Sequence, residues 1–289
     1  MMGPKQPKSS MKPKLKKVLI VGSAPDAVRT AGWDTSFFDH IIAINNAWMA
    51  CPSWSYLIFP DDFTKERHPS TDSLKGKQIV TSHEFVPIQN EFGGFVYAGG
   101  TMSFTAGYWA LGALKPDVIA YIGCDMIYDA KPGQMTHFYG CGVADPLRED
   151  VTLQSLEAKS VRLQALAEQN GCAVVNLSNQ KVSRLLLPRI ELQTLEAMTQ
   201  SSTTSAFNNL AVQDALRAES ELGYQVESGR YWEEYEQFDS EKLNAIDALW
   251  LRIASPSQHS AMSPEKRSPP TPTCESVLRR ANGKTWTAF

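Results

Sequence analysis

The feature that most constrains the fold is a series of short, β-branched apolar runs, each broken by glycine, asparagine, proline or aspartate. Lys17-Val18-Leu19-Ile20-Val21 runs into Gly22, Asp39 to Ile44 into Asn45-Asn46, Trp54 to Phe59 into Pro60-Asp61-Asp62, and Asp117 to Gly123 into Cys124-Asp125. A run that is apolar at every position, rather than at alternate ones, is buried on both faces, as strands of a parallel sheet are. Weaker runs at Lys77 to Thr81, Phe95 to Tyr97 and Ala173 to Leu177 extend the series. Helical spacing falls between them. Met102, Thr105, Ala106, Trp109, Ala110 and Ala113 predict a helix over 101–114, and Leu153, Leu156, Val161, Leu163 and Leu166 predict another over 151–169, closed by Asn170-Gly171. Pro25 suits the first turn of a short helix over 27–31, because that position needs no amide hydrogen. The stretch 82–94 reads as loop.

Strands alternating with helices predict an α/β fold: a Rossmann-like parallel sheet with helices on both faces, spanning residues 16–190. Right-handed crossovers place all the strand C-termini on one rim, where ligands of open sheets bind. Residues 1–15 form a basic arm, read as disordered. Residues 191–254 read as a helical appendage with helices over 207–222 and 240–254. Residues 255–289, which include Ser268-Pro269-Pro270, read as a disordered tail.

At 43% hydrophobic and 20% charged, the 289-residue chain has a globular composition, and its net charge of -3 argues against nucleic acid as a partner. Lys5, Lys8, Lys12, Lys14, Lys16 and Lys17 crowd the N-terminus, and we read them as solvated, with at most weak contact to an acidic membrane surface. The apolar run after them is too short for a secretory segment. Five scattered cysteines, Cys51, Cys124, Cys141, Cys172 and Cys274, with no CxxC pair, suit a reducing cytoplasmic location.

The rim collects Gly22-Ser23-Ala24-Pro25, Asn45-Asn46, Asp61-Asp62, Gly99-Gly100-Thr101, Gly123-Cys124-Asp125 and Asn176-Leu177-Ser178. Gly22 and Gly100 would let backbone amides approach a phosphate, and the helix N-termini that follow favour negative charge. GxGxxG and GxxxxGK[ST] are both absent, so neither an ordinary dinucleotide site nor a Walker-type site is indicated. Asp61 and Asp62 are weak candidates for a divalent ion, and an acidic turn after a strand is as readily just solvated.

In order and spacing, these motifs resemble the bacterial sialyltransferases of glycosyltransferase family 42, with a more distant likeness to the domain called DUF115. The marks are Val-Gly-Ser-Ala-Pro at 21–25, Ile44-Asn45-Asn46, Gly100-Thr101-Met102-Ser103, Ile122-Gly123-Cys124-Asp125, Thr136-His137-Phe138-Tyr139-Gly140 and Asn176-Leu177-Ser178-Asn179. The resemblance implies metal-independent, inverting transfer of sialic acid from CMP-sialic acid to a glycan acceptor, with no cofactor beyond the nucleotide-sugar donor. It implies His137 as general base, a role that suits an imidazole titrating near neutrality. It further implies that Gly22, Ser23, Pro25, Asn45 and Asn46 hold the nucleotide, that Gly100, Thr101 and Ser103 hold the donor, and that Gly123, Asp125, Tyr128 and Tyr139 line the pocket. Tyr97 stands where the family has an arginine. Two alternatives stay open: a magnesium-dependent phosphotransferase like the DUF115 domain, and a nucleotide-binding protein without turnover.

Overall fold

A computed structural model describes residues 14–127, 135–140, 155–199 and 207–254. The arm up to residue 13, Tyr128, Cys141 and the tail from 255 lie outside them. Six strands, β1 (Lys17–Val21), β2 (His40–Ile44), β3 (Tyr56–Ile58), β4 (Gln78–Val80), β5 (Val118–Ile122) and β6 (Ala173–Asn176), form one parallel sheet in the order β4-β3-β2-β1-β5-β6. The chain builds outward from β1 to β4 and then returns to the other side of β1. The order therefore reverses between β1 and β5, the switch point at which open sheets of this kind have their ligand crevice.

Continuous burial of the central strands has the cause expected from their sequence, since both faces are covered. Val18, Ile20 and Ile42 share a core with Phe104, Tyr108 and Leu163, while Leu19, Val21 and Ala43 share another with Ala27, Ala47 and Leu195. The first face carries α1 (Ser82–Glu91), α2 (Gly94–Ala98), α3 (Met102–Trp109, running on as a π-turn over Ala110–Leu114) and α4 (Leu156–Gln169). The second carries the 3-10 segments Pro25–Gly32 and Asn45–Met49 and the short α5 (Leu192–Ala197). Gly107 lets α3 approach the sheet, because a Cβ there would lie 2.1 Å from the Tyr121 hydroxyl.

Three segments differ from expectation. Residues 82–91 form α1 rather than a loop, started by a capping box in which the Thr81 side chain accepts the Glu84 amide and Glu84 reaches back to the Thr81 amide. Phe95 to Tyr97 belong to α2, not to a strand. All five residues of that helix are buried, so no alternation could show in it. Lys16 and Lys17 are not part of a solvated arm. Lys16 Nζ donates to the Leu114 carbonyl (2.6 Å), and Lys17 Nζ, in β1, donates to Leu195 and Glu196 carbonyls at the end of α5 (2.7 and 2.9 Å). Helix-end carbonyls lack intrahelical donors, and an ammonium meets that need.

Beyond α5, α6 (Asn209–Leu222) is capped by Asn208 and α7 (Ser240–Ile253) by Asp239. Helix α7 packs on both α4 and α6, and Val212, Ala215, Ile246 and Trp250 share a core with Val96, Tyr97, Val161 and Ala165. Two ion pairs are sealed in this interface, Lys159 Nζ to Asp247 at 2.6 Å and Arg162 to both oxygens of Glu219 at 2.8 Å. Arg162 also donates to the Tyr108 hydroxyl and the Phe92 carbonyl, and Trp250 Nε1 donates to Glu219 at 2.7 Å. Burial opposes the Arg162 charge, yet Glu219 and Tyr108 hold its pKa above the ordinary range. Among the described residues no helix is long and apolar enough to cross a membrane.

Candidate functional site

The loops after β1 and β5 meet face to face. The Gly22 amide donates to the Ile122 carbonyl (2.9 Å) and the Ala24 amide to the Gly123 carbonyl (2.8 Å). A Cβ on Gly22 would lie 2.3 Å from the Gly123 carbonyl oxygen, which is why glycine stands there. The close approach that Gly22 permits is thus to β5, and two amides of this loop are engaged before any ligand arrives. The first turn of the segment Pro25–Gly32 carries Asp26, which is 8% exposed, so a carboxylate already occupies the positive end of that segment. The N-terminus of α3 differs. Thr101 makes no capping bond, its hydroxyl donating instead to Met126 Sδ (3.7 Å), and the first turn holds no acid. By helix geometry the amides of Met102 and Ser103 have no partner within the helix, so an anion at this rim fits best here.

Along this rim three buried oxygens have no hydrogen-bond partner among the described residues: Asn45 Oδ1, Asn46 Oδ1 and Asp125 Oδ1. Asn45 is held in the left-handed region at φ 50°, at the end of β2. Each such atom costs on the order of 1–3 kcal/mol if nothing meets it, so three on one rim mark a place where water or a ligand belongs. Asp125 is 2% exposed, and its Oδ2 accepts the Ser178 hydroxyl at 2.8 Å. Burial raises its pKa, with Asp26 adding to the effect. Ser103 lies against the Cys124 thiol, which burial pushes up to about 12. Cys51, Cys124 and Cys172 are buried free thiols.

The loop after β6 closes one side. The Asn179 amide donates to Asp26 (2.8 Å), Arg29 donates to Asp26 (2.9 Å) and to the Leu177 carbonyl (3.0 Å), and Arg189 donates to the Ser178 carbonyl (3.2 Å). Asp26, Arg29 and Arg189 were not singled out from the sequence, and Asn179 entered only as the end of a motif with no role given to it. The available signal was that an acid and an arginine follow the first strand's glycine at Asp26 and Arg29.

His137 comes to the same rim. The Phe138 amide donates to the Ser23 carbonyl at 3.0 Å, and His137 pairs with Gly140 in a tight turn. Its Nδ1 lies 2.8 Å from Thr136 Oγ1, and its ring packs on Tyr139 with centroids 5.1 Å apart. The structure therefore gathers Gly22, Ser23, Pro25, Asn45, Asn46, Gly100, Thr101, Ser103, Gly123, Asp125, His137 and Tyr139 along the ends of β1, β2 and β5 and the start of α3. Tyr128 lies outside the described residues.

Asp61 and Asp62, after β3, are exposed, and Asp61 accepts the Ser82 hydroxyl at 2.7 Å. Among the described residues no three His, Cys, Asp or Glu side chains are grouped as a metal site would need. Tyr97 is far from a donor role: its hydroxyl donates to the Glu219 carbonyl (2.8 Å) and accepts the Tyr224 amide (2.7 Å), and burial pushes its pKa up to about 12. A cavity of about 420 Å³, lined by Gly93, Tyr97, Arg162 and Glu219 among others, is separate from the rim residues.

Comparison of the chain with models of protein families, with curated proteins and with solved structures finds no match.

Proposed function

We propose that this protein is a metal-independent inverting glycosyltransferase that takes a nucleotide-sugar donor of the CMP-sialic acid kind at the β1–β5 crevice. The observation that carries the reading is the docking of the His137 turn on Ser23, which sets an imidazole beside a rim with three unmet buried oxygens. In the reaction the acceptor hydroxyl oxygen bonds to the anomeric carbon as the bond from that carbon to the phosphate oxygen breaks. The bonding electrons leave with the nucleotide, and the hydroxyl proton passes to His137 Nε2. Thr136 at Nδ1 orients the ring for this. The N-terminus of α3 faces the charge that grows on the departing phosphate. Glycan acceptor and donor are the only partners this reading needs, and buried thiols suit a reducing cytoplasm.

Incubation with CMP-sialic acid and a glycan acceptor, with a chelator present, tests the activity. His137→Ala is expected to lower transfer by about 10²–10⁴-fold while leaving nucleotide affinity within a factor of two or so. Unchanged transfer in that variant overturns the role of His137. Tyr97 supports a second reading, a nucleotide-binding protein without turnover, because the position that carries an arginine in the family it resembles is committed here to holding α6. Calorimetric binding of CMP with no transfer to any acceptor would favour it. A magnesium-dependent phosphotransferase draws less support, since Asp61 and Asp62 stand exposed on a turn.

A further inference from the structure

Two carboxyl groups are buried side by side at the crevice. Asp26 and Asp125 are held by consecutive residues of one loop, the Asn179 amide on Asp26 and the Ser178 hydroxyl on Asp125. Asp26 has a cation of its own, Arg29 at 2.9 Å, and is provided for as an anion. Asp125 is not. One oxygen accepts the Ser178 hydroxyl, the Ser183 hydroxyl lies near enough to add to it, and Oδ1 has no hydrogen-bond partner among the described residues. Among the described residues the charged groups that face it are Asp26, from the segment Pro25–Gly32, and Arg189, from the return after β6. The guanidinium of Arg189 is turned to the Ser178 and Gln180 carbonyls. Ser178 and Ser183 of the loop supply its remaining polar neighbours, with Cys124 beside it in the chain. Arg184 donates its backbone amide to the Asp125 carbonyl, but its guanidinium pairs with Glu157. A desolvated carboxyl next to an anion and poorly supplied with donors favours its neutral form.

Resting on the glycosyltransferase reading, we propose that Asp125 binds ligand as a carboxylic acid, its Oδ1 giving a hydrogen bond to an oxygen of the nucleotide donor. Elsewhere along this rim the unmet side-chain atoms among the described residues are the Oδ1 acceptors of Asn45 and Asn46, at the end of β2, so a proton on Asp125 supplies the opposite polarity. A nucleotide carries acceptor oxygens on its phosphate and base as well as donor hydroxyls on its ribose, and it presents both needs at once. Binding then takes up a proton whenever the unliganded carboxyl is ionised. Burial and Asp26 both push the Asp125 pKa up, which is consistent with this role.

The test has two readouts. In the ligand-free protein, the carboxylic C=O band removed by Asp125→Asn is followed by infrared spectroscopy against pH. It is expected to persist above the pH, about 3.9, at which an ordinary aspartate ionises. Then CMP affinity is measured against pH for wild type and Asp125→Asn. The ratio cancels the titration of the nucleotide's own phosphate. Asn is the neutral isostere of the acid. The ratio is expected to be near unity at the acid end, with wild type losing up to tenfold relative to the variant for each pH unit above the carboxyl's midpoint. An ordinary midpoint overturns the proposal. So does a variant that loses CMP at every pH, which would mark an ionised carboxylate as the binding form, and so does a ratio that does not change with pH. Failure of wild type to bind any of CMP, CMP-sialic acid, UDP, GDP or ATP overturns the nucleotide reading and this proposal with it. Binding of CMP with a flat ratio overturns this proposal alone.

Discussion

Replacing Gly22 with alanine adds one methyl group at the point where the two halves of the sheet meet. That methyl would sit 2.3 Å from the Gly123 carbonyl oxygen, 2.6 Å from Cys124 Sγ and 2.9 Å from the Gly123 carbonyl carbon. Two of the three obstacles are backbone atoms, which cannot rotate away as a side-chain end can. The loops after β1 and β5 must therefore separate by about 0.7 Å to reach even 3.0 Å, the lower limit of real Cβ contacts. Separation stretches the bonds from Gly22 to Ile122 and from Ala24 to Gly123, now 2.9 and 2.8 Å. We expect a loss of about 3 kcal/mol, the upper end of the usual cost of overpacking, read as a fall of about 1 M or more in the urea midpoint. Gly32→Ala is the internal control, since a Cβ there meets nothing within 4 Å. It is expected to be neutral or to stabilise by up to about 1 kcal/mol through the unfolded chain. A Gly22→Ala protein with the wild-type midpoint would refute the claim that backbone contact between β1 and β5 requires this glycine.

Three further outcomes are expected. Glu219→Ala leaves Arg162 charged, buried and without its main partner, and a cost of about 3–5 kcal/mol should appear in urea unfolding. The double replacement Arg162→Met with Glu219→Leu should recover much of that. Thr81→Ala removes half of the capping box of α1 and should cost about 1 kcal/mol, with the nucleotide panel unaffected. Stability should also depend on pH through Asp125. Its folded pKa lies above its unfolded value, so the folded chain keeps a proton that the unfolded chain has already released. Stability therefore falls as pH rises from about 4 through the folded pKa and is steady above it, and Asp125→Asn should flatten that part of a urea-midpoint profile.

All six strands could be read from their apolar runs: a central strand covered on both faces, such as β1 or β5, is buried at every residue, while the edge strand β4, with Gln78 exposed, gave the weaker run. The helices that could be read had the length to show a period, as in α3, α4, α6 and α7. Helix α2 did not, since its five buried residues, Gly94 to Ala98, carry no polar side to mark a face. Helix α1 did carry its start signal in Thr81 and Glu84, but Pro87 inside it argued the other way. At the site, Asn45, Asn46, Asp125 and His137 were legible as polar residues at strand ends or in a motif. What could not be read was the partnering: Arg29 meets Asp26 from three residues on in the same segment, but the Asn179 amide on Asp26 and the Ser178 hydroxyl on Asp125 come from the loop after β6, which meets them only in three dimensions.

The place of β1 bears on how this chain is made. The first strand to be synthesised is central, and its register pairs Val18 with both His40 and Ile119. One edge is met almost at once, and the other waits about a hundred residues. At typical translation rates that interval is about 5–20 s, during which a nascent half-sheet shows an open, apolar edge to whatever is nearby. The arrival of β5 closes that edge and sets Gly123 against Gly22. The same event that ends the hazard for the newborn chain thus assembles the crevice.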